Sequence, residues 1–218
     1  MGTLALDTQN ASSDIYISLG LKALGKGVVG VPPVLSLLST LLERSIQRNE
    51  TLLEAKHIQD AVTVFHGLRA PGLSIRKYID RIFKYSACSP SCFVVAYIYV
   101  DRLLQRSEVK LTSLSVHRLL ITSIMVAAKF MDDAFFNNAY YAKVGGVSTG
   151  ELNRLEMNFL FSIDFRLQVS VDTFRKYCWQ LEKEAAETLQ VERPIQACRI
   201  KESWSNKDDS TCASTIAR

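Results

Sequence analysis

Residues 90–104 read PSCFVVAYIYVDRLL and contain the longest unbroken apolar run of the chain, Phe93 to Val100. Pro90 suits the first position of a helix, where the N–H group that proline lacks would have no partner in any case. From Phe93 to Leu104 the side chains are apolar on nearly every face, so we expect a central, buried helix. The run is much shorter than the roughly twenty apolar residues that a membrane span needs, and we predict no membrane association.

Helical patterns continue on the C-terminal and N-terminal sides of this stretch. Ser74 is a candidate N-cap for a helix with one clean apolar face. A broad apolar stripe predicts a further helix from about Thr112 to Met131. A short helix, Asn138 to Val144, should stop at Gly145–Gly146, because glycine readily supplies a helix C-cap.

The outer parts of the chain also predict helices. Ser148 and Glu151 have the spacing of a capping box, in which each side chain bonds the other residue's backbone N–H group. Another helix begins near Val171, and Pro32 and Pro33 open an amphipathic N-terminal helix of about fifteen residues. Convincing strand alternation is missing, so the predicted class is all-α.

The composition is that of a globular protein, with 218 residues of which 48% are hydrophobic and 22% charged. The net charge of +4 is too small to mark a nucleic-acid-binding protein by itself. The first residues lack the charged start and apolar block of a signal peptide. We therefore expect the five cysteines to be reduced thiols and the protein to act in the nucleus, the cytoplasm or both, without secretion.

Motifs for catalysis and metal binding are missing from the sequence. It has no phosphate-binding loop, no nucleophile elbow and no His/Cys spacing typical of zinc. Cys88 and Cys92 are interpreted as packing thiols, and Asp132 and Asp133 as solvated residues just past a helix. We predict no enzyme activity, cofactor or metal, and a helical scaffold without catalytic groups favours a binding module.

One predicted helix carries a mildly basic face, which raises the question of nucleic-acid binding. Its cations are Arg76, Lys77, Arg81 and Lys84. A solvated face is the favoured interpretation, because no helix-turn-helix pattern or interleaving of aromatic and basic residues accompanies these charges. No nucleic-acid partner is therefore predicted.

Several segments resemble the cyclin box. Residues 99–104, YVDRLL, resemble its Tyr-Ile-Asp-Arg-Phe-Leu stretch, and residues 127–130, AAKF, resemble the lysine-bearing end of its third helix. Leu155–Glu156 and Asp164–Phe165 resemble parts of its fifth helix and of the turn that follows. Residues 137–147, NNAYYAKVGGV, are similar to the plant U-type (also called P-type) cyclins, in the phosphate-regulatory branch of the family.

The resemblance implies a five-helix cyclin box that binds and activates a cyclin-dependent kinase, in plants one of the A type. It implies that Lys129 and Glu156 together clamp backbone groups of a mobile helix of the kinase. It also implies apolar contacts around that clamp, made by Val126, Phe130, Leu160, Phe165 and Leu167.

The chain is predicted to carry a single cyclin box with one extra helix on each side. The five predicted segments are a flexible segment at 1–30, an N-terminal helix and linker at 31–70, the cyclin box at 71–168, a C-terminal helix at 169–189, and a polar, disordered tail at 190–218. Residues 74–78, SIRKY, stand where mitotic and S-phase cyclins carry a docking motif, so substrate docking through that patch is not expected. No destruction box precedes Pro32.

Asp101 lies within the apolar second helix of the predicted box and should need a partner, because an unpaired buried carboxylate is costly. Arg76 or Arg81 on the first helix of the box is a candidate for a structural ion pair. The alternatives are that Arg102 orients beside Asp101 or that the carboxylate reaches solvent at the helix end.

Two functions from different classes fit these patterns. The leading hypothesis is a regulatory subunit that binds and activates a cyclin-dependent kinase in cell-cycle or growth control. The alternative is a cyclin-box adaptor or transcription-related scaffold that activates no kinase, since one fold serves several functions.

Overall fold

The computed structural model describes residues 14–21, 30–57, 62–106 and 110–191, and the described chain is all-α. A short helical turn at 14–18 precedes seven longer helices. These are α1 (Pro33–Lys56), α2 (Ile75–Ser86), α3 (Pro90–Arg106), α4 (Val116–Met131), α5 (Asn138–Gly145), α6 (Thr149–Ser162) and α7 (Val171–Val191). The predicted class is confirmed. No helix of the described residues is long and apolar enough to cross a membrane.

Helix α3 lies at the centre of the fold, as its sequence predicts. It begins at Pro90 and packs mainly against α4, with α1, α6 and α7 around it. The Asp132 carboxylate, at the end of α4, accepts hydrogen bonds from the Ser89 backbone N–H (2.9 Å) and hydroxyl (2.8 Å) and from the Cys92 thiol (3.3 Å). Of the two aspartates predicted to be solvated, Asp133 is exposed, whereas Asp132 is partly buried and its carboxylate fastens the start of α3 to the end of α4.

The predicted helix caps are formed, with one exception. Ser74 accepts a hydrogen bond from the Lys77 N–H group (3.4 Å), and Ser148 accepts one from the Glu151 N–H group (3.1 Å). Gly146 ends α5 in the left-handed conformation, with φ of 72°. The capping box is only half present, because the Glu151 carboxylate turns away from Ser148 and bonds a guanidinium on α4.

The described parts of the N-terminal region pack on the core of the fold. Helix α1 has 24 residues instead of about fifteen, because its second half is rich in good helix formers such as Glu, Leu, Arg and Lys. Residues 14–21, expected to be flexible, bury Ile15 and Leu19 in the core, and the Leu19 carbonyl accepts a hydrogen bond from the Val34 N–H group (3.2 Å). The predicted tail from 192 onward lies outside the described residues.

The predicted linker before α2, described from residue 62 onward, packs against the helices. Phe65 is buried and meets the buried ring of Phe159 on α6 edge to face, with 6.2 Å between the ring centroids. The Gly67 N–H group bonds the Leu114 carbonyl (2.8 Å). A Cβ atom at Gly67 would lie 2.4 Å from the Arg118 guanidinium, so a side chain at this position would force that guanidinium to shift.

The three cysteines among the described residues, Cys88, Cys92 and Cys178, are all buried free thiols. Cys198 and Cys212 lie outside the described residues. The side-chain hydrogen bond with Cys92 lowers the pKa of the Cys88 thiol, whereas the same bond raises that of Cys92. Within the described ranges no three His, Cys, Asp or Glu residues form a group that could hold a metal ion.

Candidate functional site

Lys129 and Glu156, which come from two helices, face each other at one end of the α4–α6 pair. Lys129 stands in the last turn of α4, and its Nζ lies 2.7 Å from Glu156 Oε1 on α6. Asn138, the first residue of α5, joins both groups: its Oδ1 accepts from Lys129 Nζ (2.5 Å) and its Nδ2 donates to Glu156 Oε2 (2.7 Å). We call these three residues the Lys129 cluster.

The Lys129 cluster is reachable from outside, although its groups are held in place. The side chains of Lys129 and Glu156 are 27% and 17% exposed. An ammonium group has three donors, and within the described chain two of those of Lys129 are used. Each carboxylate oxygen of Glu156 has room for a second donor. The cluster therefore holds a positive and a negative group side by side, fixed and partly accessible to solvent.

Asn138 is the member of the cluster that the sequence did not reveal. It lies beside the cap residue Asn137, whose side chain accepts a hydrogen bond from the Tyr140 N–H group (3.0 Å). Asn138 also donates to Asn153 Oδ1 on α6 (2.8 Å). Two adjacent asparagines at a helix start are a weak signal, because only the tertiary fold shows that the second one bridges α4 and α6.

Large exposed apolar side chains lie on the helices that carry Lys129 and Glu156 and in the turn after α6. Phe130 and Phe165, both implied by the resemblance, are 47% and 53% exposed. Phe161 and Met157 on α6 are also exposed but were not predicted, and the Phe161 ring meets that of Phe165 edge to face, with 5.2 Å between centroids. Apolar groups of this size in water mark a candidate contact surface.

The other three predicted apolar positions are less accessible. Leu160 and Leu167 are partly buried and pack against the core from the edge of this surface. Val126 is only 3% exposed and lies within the core, so the prediction that it contacts a partner is wrong. Its helix, α4, is buried on nearly all faces before its last turn, and Val126 supports the surface from beneath.

A rare backbone conformation holds Phe165 at the surface. Asp164 and Phe165 are both left-handed, with φ of 56° and 53°, a region that non-glycine residues seldom occupy. The segment is fastened to α3: Tyr99 donates to the Leu167 carbonyl (2.7 Å), and Arg102 donates to the carbonyls of residues 166 (2.5 Å) and 168 (3.0 Å). These bonds fix the backbone just after Phe165 against α3.

The matching family model agrees with the helical architecture. The model described as Cyclin matches residues 33–167. The chain belongs to the cyclin family. The match begins with α1, so it extends further towards the N-terminus than the predicted box at 71–168. Cyclins are regulatory proteins, and membership implies a cyclin-dependent kinase as partner in general.

Curated relatives support the narrower resemblance to plant cyclins. This cyclin-family chain is 53% identical to Cyclin-P3-1 of Oryza sativa subsp. japonica, over the whole chain and 95% of that protein. It is 52% identical to Cyclin-U3-1 of Arabidopsis thaliana, with both proteins covered completely. Its identity to Cyclin-U4-1 of Arabidopsis thaliana is 53%, over 69% of the chain and 75% of that protein. The predicted likeness to U-type and P-type cyclins is confirmed.

The ion pair predicted for Asp101 does not form. The Asp101 carboxylate faces α7, where it accepts hydrogen bonds from the Tyr177 hydroxyl and from Gln105 Nε2 (2.7 Å). Burial, together with the hydrogen bond to this carboxylate, raises the pKa of Tyr177. The prediction fails because Asp101 projects from the side of α3 that meets α7 instead of α2.

The two arginines proposed for that pair have other partners. Arg76 bonds Asp80 one turn later on the same helix (3.0 Å), and Arg81 donates to the Lys143 carbonyl on α5 (3.2 Å). The first bond lies within α2 and the second joins α2 to α5, so neither arginine turns towards Asp101 on α3.

Proposed function

We propose that the chain binds a cyclin-dependent kinase through the Lys129 cluster and the exposed phenylalanines beside it. The kinase partner has a mobile helix whose glutamate must pair with the lysine that holds the ATP phosphates. A cyclin that holds this helix inward stabilises the active arrangement and shifts the population of the kinase towards it. The cyclin itself makes and breaks no bonds.

The observation that carries this proposal is the charged pair held open at the surface. The third donor of Lys129 suits a backbone carbonyl at the end of a partner helix, and Glu156 suits backbone N–H groups. Because Asn138 already fixes both side chains, a partner meets them in position and little rotamer freedom is lost on binding. The pair therefore favours recognition of a helix backbone.

The phenylalanines supply the apolar part of the proposed interface. Phe130 follows Lys129 directly, and Phe165 and Phe161 form an exposed aromatic pair. Aromatic side chains near the centre of an interface carry a large share of binding energy once neighbouring contacts exclude water. Exclusion of water would also strengthen the hydrogen bonds of the Lys129 cluster.

The proposal also names the type of kinase and the cellular process. The likeness to U-type and P-type cyclins supports an A-type plant kinase as the partner, acting in cell-cycle or growth control. The site of action is the nucleus, the cytoplasm or both.

The test measures binding and kinase activity with a recombinant A-type plant cyclin-dependent kinase. Lys129→Ala and Glu156→Ala should each weaken binding at least about tenfold, because each leaves its partner charge desolvated and unpaired in the complex. The histone-peptide phosphorylation rate of the mixture should fall in parallel, while circular dichroism stays native.

Arg118→Ala is the matched control variant. It removes an ion pair that joins the same two helices, α4 and α6, at their other end, and it should leave kinase affinity within about twofold. Equal affinity for all four proteins would contradict the proposed interface. Binding without any rise in phosphorylation would favour the adaptor hypothesis instead.

A further inference from the structure

A basic cavity lies beside the exposed ring of Phe165. It has a volume of about 480 Å³ and is enclosed by the C-terminal end of α3 and the segment between α6 and α7. Three arginines line it, Arg102, Arg106 and Arg166, together with the apolar side chains of Phe165 and Leu167. We call it the arginine cavity. Its apolar wall belongs to the proposed kinase surface, so the two features are continuous.

The positive charge of the arginine cavity is only partly balanced. The Asp164 carboxylate lies 3.6 Å from both Arg106 Nη2 and Arg166 Nε. These separations exceed the 2.7–2.9 Å that is typical of a charge-assisted hydrogen bond, so both guanidinium groups keep donors for another acceptor. Among the described residues, three cations stand against one carboxylate here, and Asp164 is itself well exposed. An incoming anion would therefore meet net positive charge.

The cavity is also rigid on one side. Both terminal nitrogens of Arg102 are held by backbone carbonyls, and its guanidinium lies 5.8 Å from the centre of the Tyr99 ring. These bonds hold the Arg102 side chain in place as part of the cavity wall. The side chains of Arg106 and Arg166 are 40% and 69% exposed, so their guanidinium groups are accessible to solvent. The left-handed pair Asp164 and Phe165 is the kind of strained backbone that is often kept at functional sites.

We infer that the arginine cavity takes a carboxylate-bearing segment of the kinase, with an apolar neighbour of that carboxylate packed on Phe165. The inference rests on the proposed function and names the chemistry of one further contact within it. A guanidinium fork matches a carboxylate in geometry and charge. A neutral or basic segment on the same surface would desolvate these arginines without a partner, which is costly. Charge complementarity therefore selects an acidic occupant.

The experiment reverses the two outward charges and measures affinity for a recombinant A-type plant cyclin-dependent kinase at two salt concentrations. The variant Arg106→Glu/Arg166→Glu should bind about tenfold more weakly at ~50 mM salt, because the acidic segment is then repelled. At ~500 mM salt the difference should shrink to about threefold or less, since salt screens exposed charges. The neutral variant Arg106→Gln/Arg166→Gln should lie between wild type and the reversed variant.

The matched control is Lys77→Glu/Arg154→Glu, which changes the net charge equally at exposed positions of α2 and α6 that do not line the cavity. It should bind nearly as the wild type does. If the cavity variant and the control have the same affinity and salt dependence, the inference is overturned, while Lys129→Ala still tests the proposed function. If the wild type does not bind the kinase, the proposed function fails and the inference falls with it.

Discussion

Two ion pairs join α4 to α6 at opposite ends, and they are alike in length and in being partly exposed. Arg118 Nε lies 2.6 Å from Glu151 Oε1, and Lys129 Nζ lies 2.7 Å from Glu156 Oε1. Both pairs are partly exposed to a similar degree. The cations stand about 16 Å apart along α4, at 1.5 Å per residue. The contrast lies in what surrounds each pair.

At the Arg118 end the chain surrounds its own ion pair. The linker at Gly67 packs directly on the Arg118 side chain, and Ser148 caps α6 beside Glu151. At the Lys129 end the same two helices carry exposed phenylalanines, Phe130 on α4 directly after Lys129 and Phe161 on α6. An ion pair alone therefore does not mark a functional site. The apolar surface left open beside it separates the candidate contact from the structural fastener.

The largest expected effect comes from a substitution in the core beneath α6, the helix that carries the acidic partner of both ion pairs. Phe159 is fully buried on α6 and packs on Phe65. Phe159→Ala should lower the free energy of unfolding by about 3–5 kcal/mol, from lost burial and the cavity left behind. Urea denaturation followed by circular dichroism measures this.

Phe161→Ala is the matched control, with the same residue type two positions later on the same helix but 65% exposed. It should change stability by about 0.5 kcal/mol or less and should weaken kinase binding instead. Equal destabilisation by the two substitutions would mean that Phe161 is a core residue and does not belong to an open surface.

The next largest effect is expected from a substitution of Asn138, whose side-chain amide bonds both Lys129 and Glu156. Asn138→Asp replaces the donor to Glu156 by an acceptor, so two carboxylates compete for Lys129. The α5 start should persist, since a carboxylate suits a helix N-terminus. Kinase affinity should fall about tenfold, the equivalent of one lost charge-assisted hydrogen bond.

Asn138→Ala removes the same donor without adding a charge and should weaken binding less. Titration calorimetry with the kinase ranks the three proteins. If the aspartate variant binds as tightly as wild type, then Asn138 does not hold the clamp in position.

A smaller effect on stability is expected at the Arg118 end. Arg118→Ala should lower the free energy of unfolding by about 1 kcal/mol, because a pair with this much solvent contact is partly screened and removal also loosens the packing at Gly67. The urea midpoint measures it. A loss of kinase affinity greater than the loss for Lys129→Ala would invert the comparison between the two ends.

The sequence predicts helices better than it predicts their partners. Ser74, Ser148 and Gly146 act as caps because capping depends on neighbours within a few residues. The sequence predicts a partner for Asp101 on α2, whereas the structure provides Tyr177 on α7, because the direction of this side chain depends on how α7 packs against α3. The packing of residues 14–21 likewise depends on α7, whose Phe174 ring lies 6.1 Å from that of Tyr16, and local patterns do not reveal this contact.

In the candidate site, too, the sequence indicates some residues, whereas their partners become visible only in the folded structure. Lys129 and Glu156 were named through the resemblance, and the structure brings them together, while their role in binding stays a prediction. Asn138 has no local signature, since its importance arises where three helices meet. Val126 has the same apolar character as Phe130 in the sequence, and only the packing of α4 places one inside and the other outside.

The smallest expected effect is a pH dependence of the free energy of unfolding, which arises from His117 beside Arg118. His117, next to Arg118 on α4, is held by the Leu73 carbonyl (2.8 Å from Nε2) and by the Tyr78 ring, 4.8 Å between centroids. Burial lowers the pKa of His117 below its usual 6.5, although the bond to Leu73 opposes this in part. The unfolded chain therefore takes up a proton at a higher pH than the folded chain does, and stability falls as the pH drops through about 6.5.

Urea midpoints at pH 7.5 and 5.5, for wild type and His117→Asn, isolate this contribution from the carboxylates, which titrate in both proteins. The wild type should lose more stability over that interval than the variant, because asparagine keeps a donor for Leu73 but takes up no proton. Kinase affinity of the wild type should change no more than that of the variant, since the Lys129 cluster lies at the other end of α4. An equal loss of stability in the two proteins would show that His117 is protonated as easily in the folded chain as in the unfolded one, so that burial at the Arg118 end does not control its charge.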